Sequence, residues 1–83
     1  MYKVKLGSKA KKELKIIKIS HGIAVQNVID ELKDDPFIGK PLSHDLTNHF
    51  SYKLGLYRII YRVNKESRVV TILTAAHRSI VYH

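Results

Sequence analysis

Residues 52–63 read Tyr52-Lys53-Leu54-Gly55-Leu56-Tyr57-Arg58-Ile59-Ile60-Tyr61-Arg62-Val63, and the fold turns on this stretch. From Leu56 to Val63 the residue types are those that favour a pleated, half-buried surface, and Tyr57, Ile59, Tyr61 and Val63 alternate with Arg58, Ile60 and Arg62. That period of two predicts a strand with an apolar and a basic side. Leu54-Gly55 predicts a tight turn back to a short strand over Ser51–Lys53, with glycine free to take a positive φ. Downstream, Asn64-Lys65-Glu66-Ser67 predicts a turn into a third strand, Arg68–Ala76, rich in Val, Ile and Thr. Three strands joined by short turns make an antiparallel meander.

Pairing decides which side chains share a face, because directly opposite residues point the same way. A two-residue turn at Leu54-Gly55 pairs Lys53 with Leu56 and Ser51 with Arg58, so Lys53 and Arg58 share a face. A four-residue turn at Asn64–Ser67 pairs Val63 with Arg68. Tyr57, Ile59 and Tyr61 then stand with Thr74, Ile72 and Val70 as an apolar set, and Lys53, Arg58 and Arg62 lie on the opposite face.

Upstream, Tyr2-Lys3-Val4-Lys5-Leu6 alternates basic and apolar residues and predicts an N-terminal strand that ends at Gly7. Ser8 is placed to cap a helix in which Ala10, Leu14 and Ile17 fall at i, i+4 and i+7, with Lys9, Lys11, Lys12, Lys15 and Lys18 towards water. Ser20-His21-Gly22 interrupts that pattern. Val25, Val28, Ile29 and Leu32 then predict a second helix, so the two form a helical hairpin. Asp34-Asp35-Pro36 ends it, and irregular structure is expected from Pro36 to about His49 because each proline disfavours helix before it. The expected fold class is α+β: strand, helical hairpin and three-stranded meander, with the helices on one face of a small antiparallel sheet.

Eighty-three residues suffice for one domain spanning 1–83, which buries roughly 60 to 65% of its unfolded surface. No cysteine is present, so there is no disulfide framework or thiolate metal site, and neither a metal nor a cofactor is expected. No apolar run approaches the ~20 residues that span a bilayer, and residues 1–5 lack the apolar stretch of a signal peptide. A cytoplasmic protein without membrane contact is expected. Fifteen Lys and Arg against seven Asp and Glu give a formal charge of +8, which points to a polyanion or an acidic protein as partner, nucleic acid first. The lysines, taken singly, read as a solvated surface. Arg58, Arg62, Arg68 and Arg78 are different, since all lie in the last third of the chain on or near expected strands.

Four stretches in this order carry a family resemblance: Leu32-Lys33-Asp34-Asp35-Pro36 with Gly39-Lys40-Pro41-Leu42; Tyr52 through Val63; Val69 to Leu73; and His77-Arg78-Ser79-Ile80-Val81-Tyr82. Together they resemble the RelE/ParE group of small bacterial and archaeal toxins, the toxin halves of type II toxin–antitoxin pairs. The resemblance implies one of two targets: cleavage of messenger RNA in the ribosomal A site, as in the RelE branch, or inhibition of DNA gyrase, as in the ParE branch. The short helical hairpin is more similar to RelE.

On the RelE reading, the 2′-hydroxyl of the substrate is the nucleophile. The protein must then help remove its proton, neutralise the phosphorane and protonate the leaving 5′-oxygen. The resemblance assigns Arg58 to the scissile phosphate, where its planar fork bonds two oxygens as lysine cannot, and Arg78 to bracing the same group. The alternative for both is a surface arginine paired with an acid such as Glu66 or Asp45. Tyr82 matches a tyrosine that stacks on a base or moves a proton, or else closes the core. His83 is a terminal proton carrier in this scheme, and Lys53 adds charge stabilisation. Lys3, Lys5, Lys11, Lys12, Lys15 and Arg62 are expected to bind RNA or the ribosome. His44 and His49 lie before the sheet where loop histidines sometimes contribute; His77 is expected to orient Arg78, and His21 to have no function. No Asp or Glu is placed as a base near Lys53, so the proton acceptor stays open and the rate rests on electrostatics and positioning by the ribosome.

The resemblance also implies a monomeric toxin with an acidic or partly disordered antitoxin as partner, which folds on the basic surface. Ribosome and messenger RNA are the other partners on the RelE reading, and DNA gyrase on the ParE reading. A non-toxic nucleic-acid- or antitoxin-binding module is the third possibility.

Overall fold

The alternation read from the sequence is carried into a mixed sheet. The computed structural model describes residues 1–42 and 47–77. Its elements are β1 (Lys3–Leu6), α1 (Ser8–Asp34), β2 (Lys40–Pro41), β3 (His49–Leu54), β4 (Tyr57–Asn64) and β5 (Val69–His77). They form a five-stranded sheet in the order β1-β5-β4-β3-β2. β1 lies parallel to β5, and every other pair is antiparallel. The parallel pair follows from α1, since a crossover connection is what lets parallel strands become neighbours.

α1 is assigned as one helix, but a straight helix of 27 residues would be ~40 Å long, and the longest dimension of the molecule is 34 Å. His21 relieves the conflict: its φ of −132° and ψ of 36° are not helical. The amide of Tyr2 donates to the carbonyl of Lys33, and that of Gly7 to Ile72, so both ends of α1 lie beside the four-residue β1. The two halves therefore fold back on one another, and the expected hairpin exists with a one-residue break for its loop. Each half buries the predicted stripe: Ala10, Leu14 and Ile17 before the break, and Val25, Val28 and Leu32 after it. Ser8 does not cap the helix. It is the first helical residue, Gly7 holds the cap position without a side-chain bond, and a Cβ on Gly7 would sit 3.2 Å from the Ile72 carbonyl oxygen.

Against these stripes the sheet sets Phe50, Ile59, Tyr61, Val63, Val70, Ile72 and Ala75, all buried. The faces agree with the sequence reading, but the registers differ. Lys53 lies opposite Arg58, not Leu56, and the turn consists of Gly55 (φ +59°) and Leu56. Val63 lies opposite Val70, not Arg68, which leaves the ladder with a φ of +57°. Both slips are by two residues, and the side-chain period of two keeps every residue on its expected face. A further irregularity follows Tyr61: Tyr61 pairs with Ile72 but Ile60 with Thr74, so β5 carries an extra residue, a β-bulge. Thr74 thus leaves the apolar set, and Ala75, opposite Ile59, takes that place. Glu13 of α1 accepts from the Thr74 hydroxyl (2.8 Å) and the Ala75 amide (3.0 Å), where β5 has run past the end of β1.

The segment expected to be irregular contains the two-residue β2, paired with Phe50 and Ser51. Pro41 is tolerated there because β2 is an edge strand. Tyr61 anchors the approach to it. Its hydroxyl donates to the Pro36 carbonyl (2.8 Å) and accepts from the Gly39 amide (3.0 Å). Burial pushes the Tyr61 pKa up to about 12. Phe50 stacks on the Tyr61 ring at 5.5 Å and meets Phe37 edge-on at 5.7 Å. Among the described residues no helix is long and apolar enough to cross a membrane.

Candidate nucleic-acid interface

α1 covers one face of the sheet, and strand alternation assigns the other. Because Val4, Leu6, Phe50, Ile59, Tyr61, Val63, Val70 and Ile72 contribute to the core, their strand neighbours Lys3, Lys5, His49, Ser51, Lys53, Arg58, Arg62 and Thr71 point away from it. None of the five strands contains an Asp or Glu. The strands of the outer face therefore carry cations and no acidic residue, and Glu66 of the β4–β5 turn lines an open pocket beside Arg62.

Its densest part is the pair Lys53 and Arg58, directly opposite across β3 and β4. Like charges directly opposite one another weaken a sheet. The Arg58 guanidinium reaches across to Ser51, with Nη1 donating to Oγ at 3.3 Å. Lys40 on β2 is opposite Ser51. Lys40, Ser51, Lys53 and Arg58, with Ile38, Gly39 and Tyr52, line an open pocket of about 330 Å³, and among the described residues no acid lies in its wall. Three cations with hydroxyl and backbone groups beside them suit a phosphate, whose oxygens take charge-assisted hydrogen bonds. Among the described residues, no three His, Cys, Asp or Glu are grouped so as to hold a metal ion.

Glu66, one of the acids considered for Arg58, belongs to the β4–β5 turn, where its amide bonds the Asn64 side chain. Arg58 is six residues from Asn64 along β4, about 20 Å, so Glu66 is not its counter-ion. Glu31 is also engaged elsewhere: it accepts from the Tyr52 hydroxyl at 2.9 Å on the helix side, and that bond raises the tyrosine pKa.

The remaining predicted residues divide three ways. Lys3, Lys5 and Arg62 are exposed on the same outer face as Arg58. Lys11, Lys12 and Lys15 are exposed on α1, which covers the opposite face, and the structure does not bring them to the pocket. Arg78, Tyr82 and His83, together with His44 and Asp45, lie outside the described residues. β5 is described as far as His77, opposite Tyr57, with Ala76 opposite Arg58, so its described end lies beside the pocket.

Three histidines take positions that the sequence reading did not give them. His21 is the break in α1, and its ring meets Tyr57 edge-on at 5.9 Å; His77 meets the same tyrosine, also at 5.9 Å. His49 lies opposite Arg62, with Nδ1 3.0 Å from the Thr47 carbonyl. A carbonyl only accepts, so Nδ1 carries the proton in this contact. Only its position in the alternation of β3 could have marked it.

Comparison with known proteins bears on this arrangement. The family model described as the ParE toxin of type II toxin–antitoxin systems, parDE, matches residues 4–82. Toxin RelG of Mycobacterium tuberculosis is 37% identical over 59 residues, which cover 70% of this chain and 68% of RelG. The crystal structure of the toxin–antitoxin complex RelBE2 from the same organism matches with a TM-score of 0.79 at 33% identity, over 93% of this chain and 98% of that one. The archaeal RelE–RelB complex from Pyrococcus horikoshii matches with a TM-score of 0.76 at 25% identity, over 95% of this chain and 97% of that one. With residues 4–82 matched and the fold shared across nearly the whole length, this chain belongs to the RelE/ParE superfamily of toxins of type II toxin–antitoxin systems.

Proposed function

We propose that this toxin arrests growth by cutting messenger RNA on the ribosome, in the cytoplasm, with the Lys53–Arg58 pocket holding the scissile phosphate. The observation that carries the reading is the cross-strand cation pair with Lys40 beside it, on a sheet face that α1 leaves uncovered. In the reaction the 2′-oxygen of the substrate attacks phosphorus, the bond to the 5′-oxygen breaks, and the products are a cyclic phosphate and a free 5′-hydroxyl. Negative charge builds on the equatorial oxygens, and fixed cations stabilise it without reorganising at the moment of reaction. Arg58 supplies the two-pronged contact and Lys53 a second charge. Arg78, Tyr82 and His83 complete the scheme, with Tyr82 or His83 carrying a proton.

The partner that restrains the toxin is an antitoxin whose acidic, apolar-studded segment folds on it. The charge of +8 and the exposed Ile16, Ile19 and Ile23 on α1 support this, the three isoleucines lying among Lys12, Lys15 and Lys18. The experiment is induction in cells with mapping of messenger RNA 5′ ends. Arg58→Ala should abolish A-site cleavage and growth arrest with the fold intact, and Arg58→Lys should restore little because lysine has no bidentate fork. Full cleavage by Arg58→Ala sinks the assignment. Double-strand DNA breaks with intact messenger RNA would move the target to DNA gyrase, and harmless expression without an antitoxin would point to a non-toxic binding module.

A further inference from the structure

The register places a second set of outward side chains in a straight line across the sheet. His49 on β3 is opposite Arg62 on β4, Arg62 is opposite Thr71 on β5, and Thr71 is opposite Lys5 on β1. Four neighbouring strands thus contribute one residue each, and with strands ~4.8 Å apart the row is about 14 Å long. Lys5 and Arg62 are exposed, and His49 and Thr71 half-buried. With its Nδ1 committed to the Thr47 carbonyl, the neutral His49 ring offers Nε2 as an acceptor, which suits a base N–H or a sugar hydroxyl rather than a phosphate oxygen. Arg62 and Lys5 stand two strands apart with Thr71 between them, no strand of the sheet carries an acidic residue, and Glu66 of the β4–β5 turn lines an open pocket together with Arg62.

We propose that this row is a second phosphate-binding subsite, which takes the backbone of a single-stranded polynucleotide on its way to the Lys53–Arg58 pocket. The proposal rests on the reading of that pocket as the site of the scissile phosphate. Arg62 and Arg58 are four residues apart on β4, about 13 Å, so the strand passes over the intervening Ile60 and Ser51. These are uncharged, and Ile60 gives a base or sugar an apolar floor.

An acidic polypeptide fits this row less well. β3, β4 and β5 are inner strands with neighbours on both sides, so a peptide laid across them finds no free edge to extend by backbone pairing. A polyphosphate needs only the side chains. The Arg62 fork, the Lys5 ammonium and the Thr71 hydroxyl all donate to phosphate oxygens.

The test uses 2′-O-methyl oligoribonucleotides, which lack the nucleophilic hydroxyl and stay intact, titrated by fluorescence anisotropy over a range of salt. Lengths of about three and about eight nucleotides bracket occupation of one subsite or both. The wild-type toxin should bind the longer probe more tightly, and Lys5→Ala/Arg62→Ala should erase most of that advantage. The double variant should also flatten the slope of log K against log salt by about 1.4, from ~0.7 for each lost single-strand phosphate contact. Lys9→Ala/Lys18→Ala on α1 serves as the charge-matched control and should leave the length advantage in place. An unchanged slope and length dependence in the row variant overturns the proposal, as does equal loss in the control. Tighter binding of an RNA duplex or of a poly-glutamate peptide through the same residues also overturns it. The two readings fail separately: row-dependent binding without cleavage in cells removes the nuclease, whereas cleavage without row dependence removes the row.

Discussion

At the scale of single residues, the outer face trades stability for charge. Lys53 and Arg58 face each other across β3 and β4, so removing one of them relieves a repulsion worth roughly 0.2 to 1 kcal/mol. Lys53→Gln should therefore raise the thermal midpoint slightly while lowering cleavage, a paired outcome that a purely structural lysine would not show. Tyr61 behaves in the opposite sense. Its hydroxyl holds Pro36 and Gly39, and Tyr61→Phe leaves that carbonyl and amide to find other partners, a loss of about 1 to 3 kcal/mol in chemical denaturation. The sign of its pH dependence follows from the raised pKa. The folded state holds the phenolic proton more tightly than the unfolded chain, whose tyrosine titrates near ~10, so the contribution is complete below that pH. It is lost as pH rises towards the folded value of about 12. Wild-type stability should fall through this alkaline window with an extra slope that Tyr61→Phe lacks; parallel profiles would remove Tyr61 as the cause.

At the scale of elements, two glycines separate close approach from mere chain composition. A Cβ on Gly39 would meet the Tyr61 hydroxyl at 2.5 Å and the Ser51 carbonyl at 3.0 Å, so Gly39 permits the pocket wall to lie against β3 and β4. Gly39→Ala should cost about 1 to 3 kcal/mol and weaken phosphate binding. Gly22 has nothing within 4 Å of a built Cβ and sits in the helical half after the break. Gly22→Ala should stabilise by about 0.5 to 1 kcal/mol, measured by urea unfolding. The elements were largely legible because each announces itself by period: the stripes Ala10, Leu14, Ile17 and Val25, Val28, Leu32, and the alternation of β1, β4 and β5. The two-residue β2 was not, because Lys40-Pro41 has no pattern of its own and is a strand only through its pairing with Phe50 and Ser51.

At the scale of the whole molecule, both faces carry cations, and it is the large exposed apolar side chains among the lysines of α1 that set the helical face apart. The outer sheet face carries the cations of the pocket and the row, while α1 presents Ile16, Ile19 and Ile23, each at least 70% exposed. These isoleucines contribute little to the core, so changing all three to serine should leave the thermal midpoint nearly unchanged. If the antitoxin covers them, the same variant should weaken the toxin–antitoxin complex tenfold or more, on the order of 1.4 kcal/mol, by calorimetry; unaltered affinity would put the antitoxin on another surface.

The amino-acid order by itself determined the face on which the strand residues stand up to the bulge on β5, because facing depends on a period of two that neighbouring side chains enforce locally. Lys53, Arg58 and Arg62 could be grouped on that ground although both hairpin registers were two residues off. Register, the bulge on β5 and the parallel seat of β1 beside β5 were decided only in the tertiary structure. They depend on how helix and sheet close on each other over long stretches of chain, and the break at His21 sets that closure. The row from His49 to Lys5 belongs to this second category, since its four members come from strands that only the completed sheet makes neighbours.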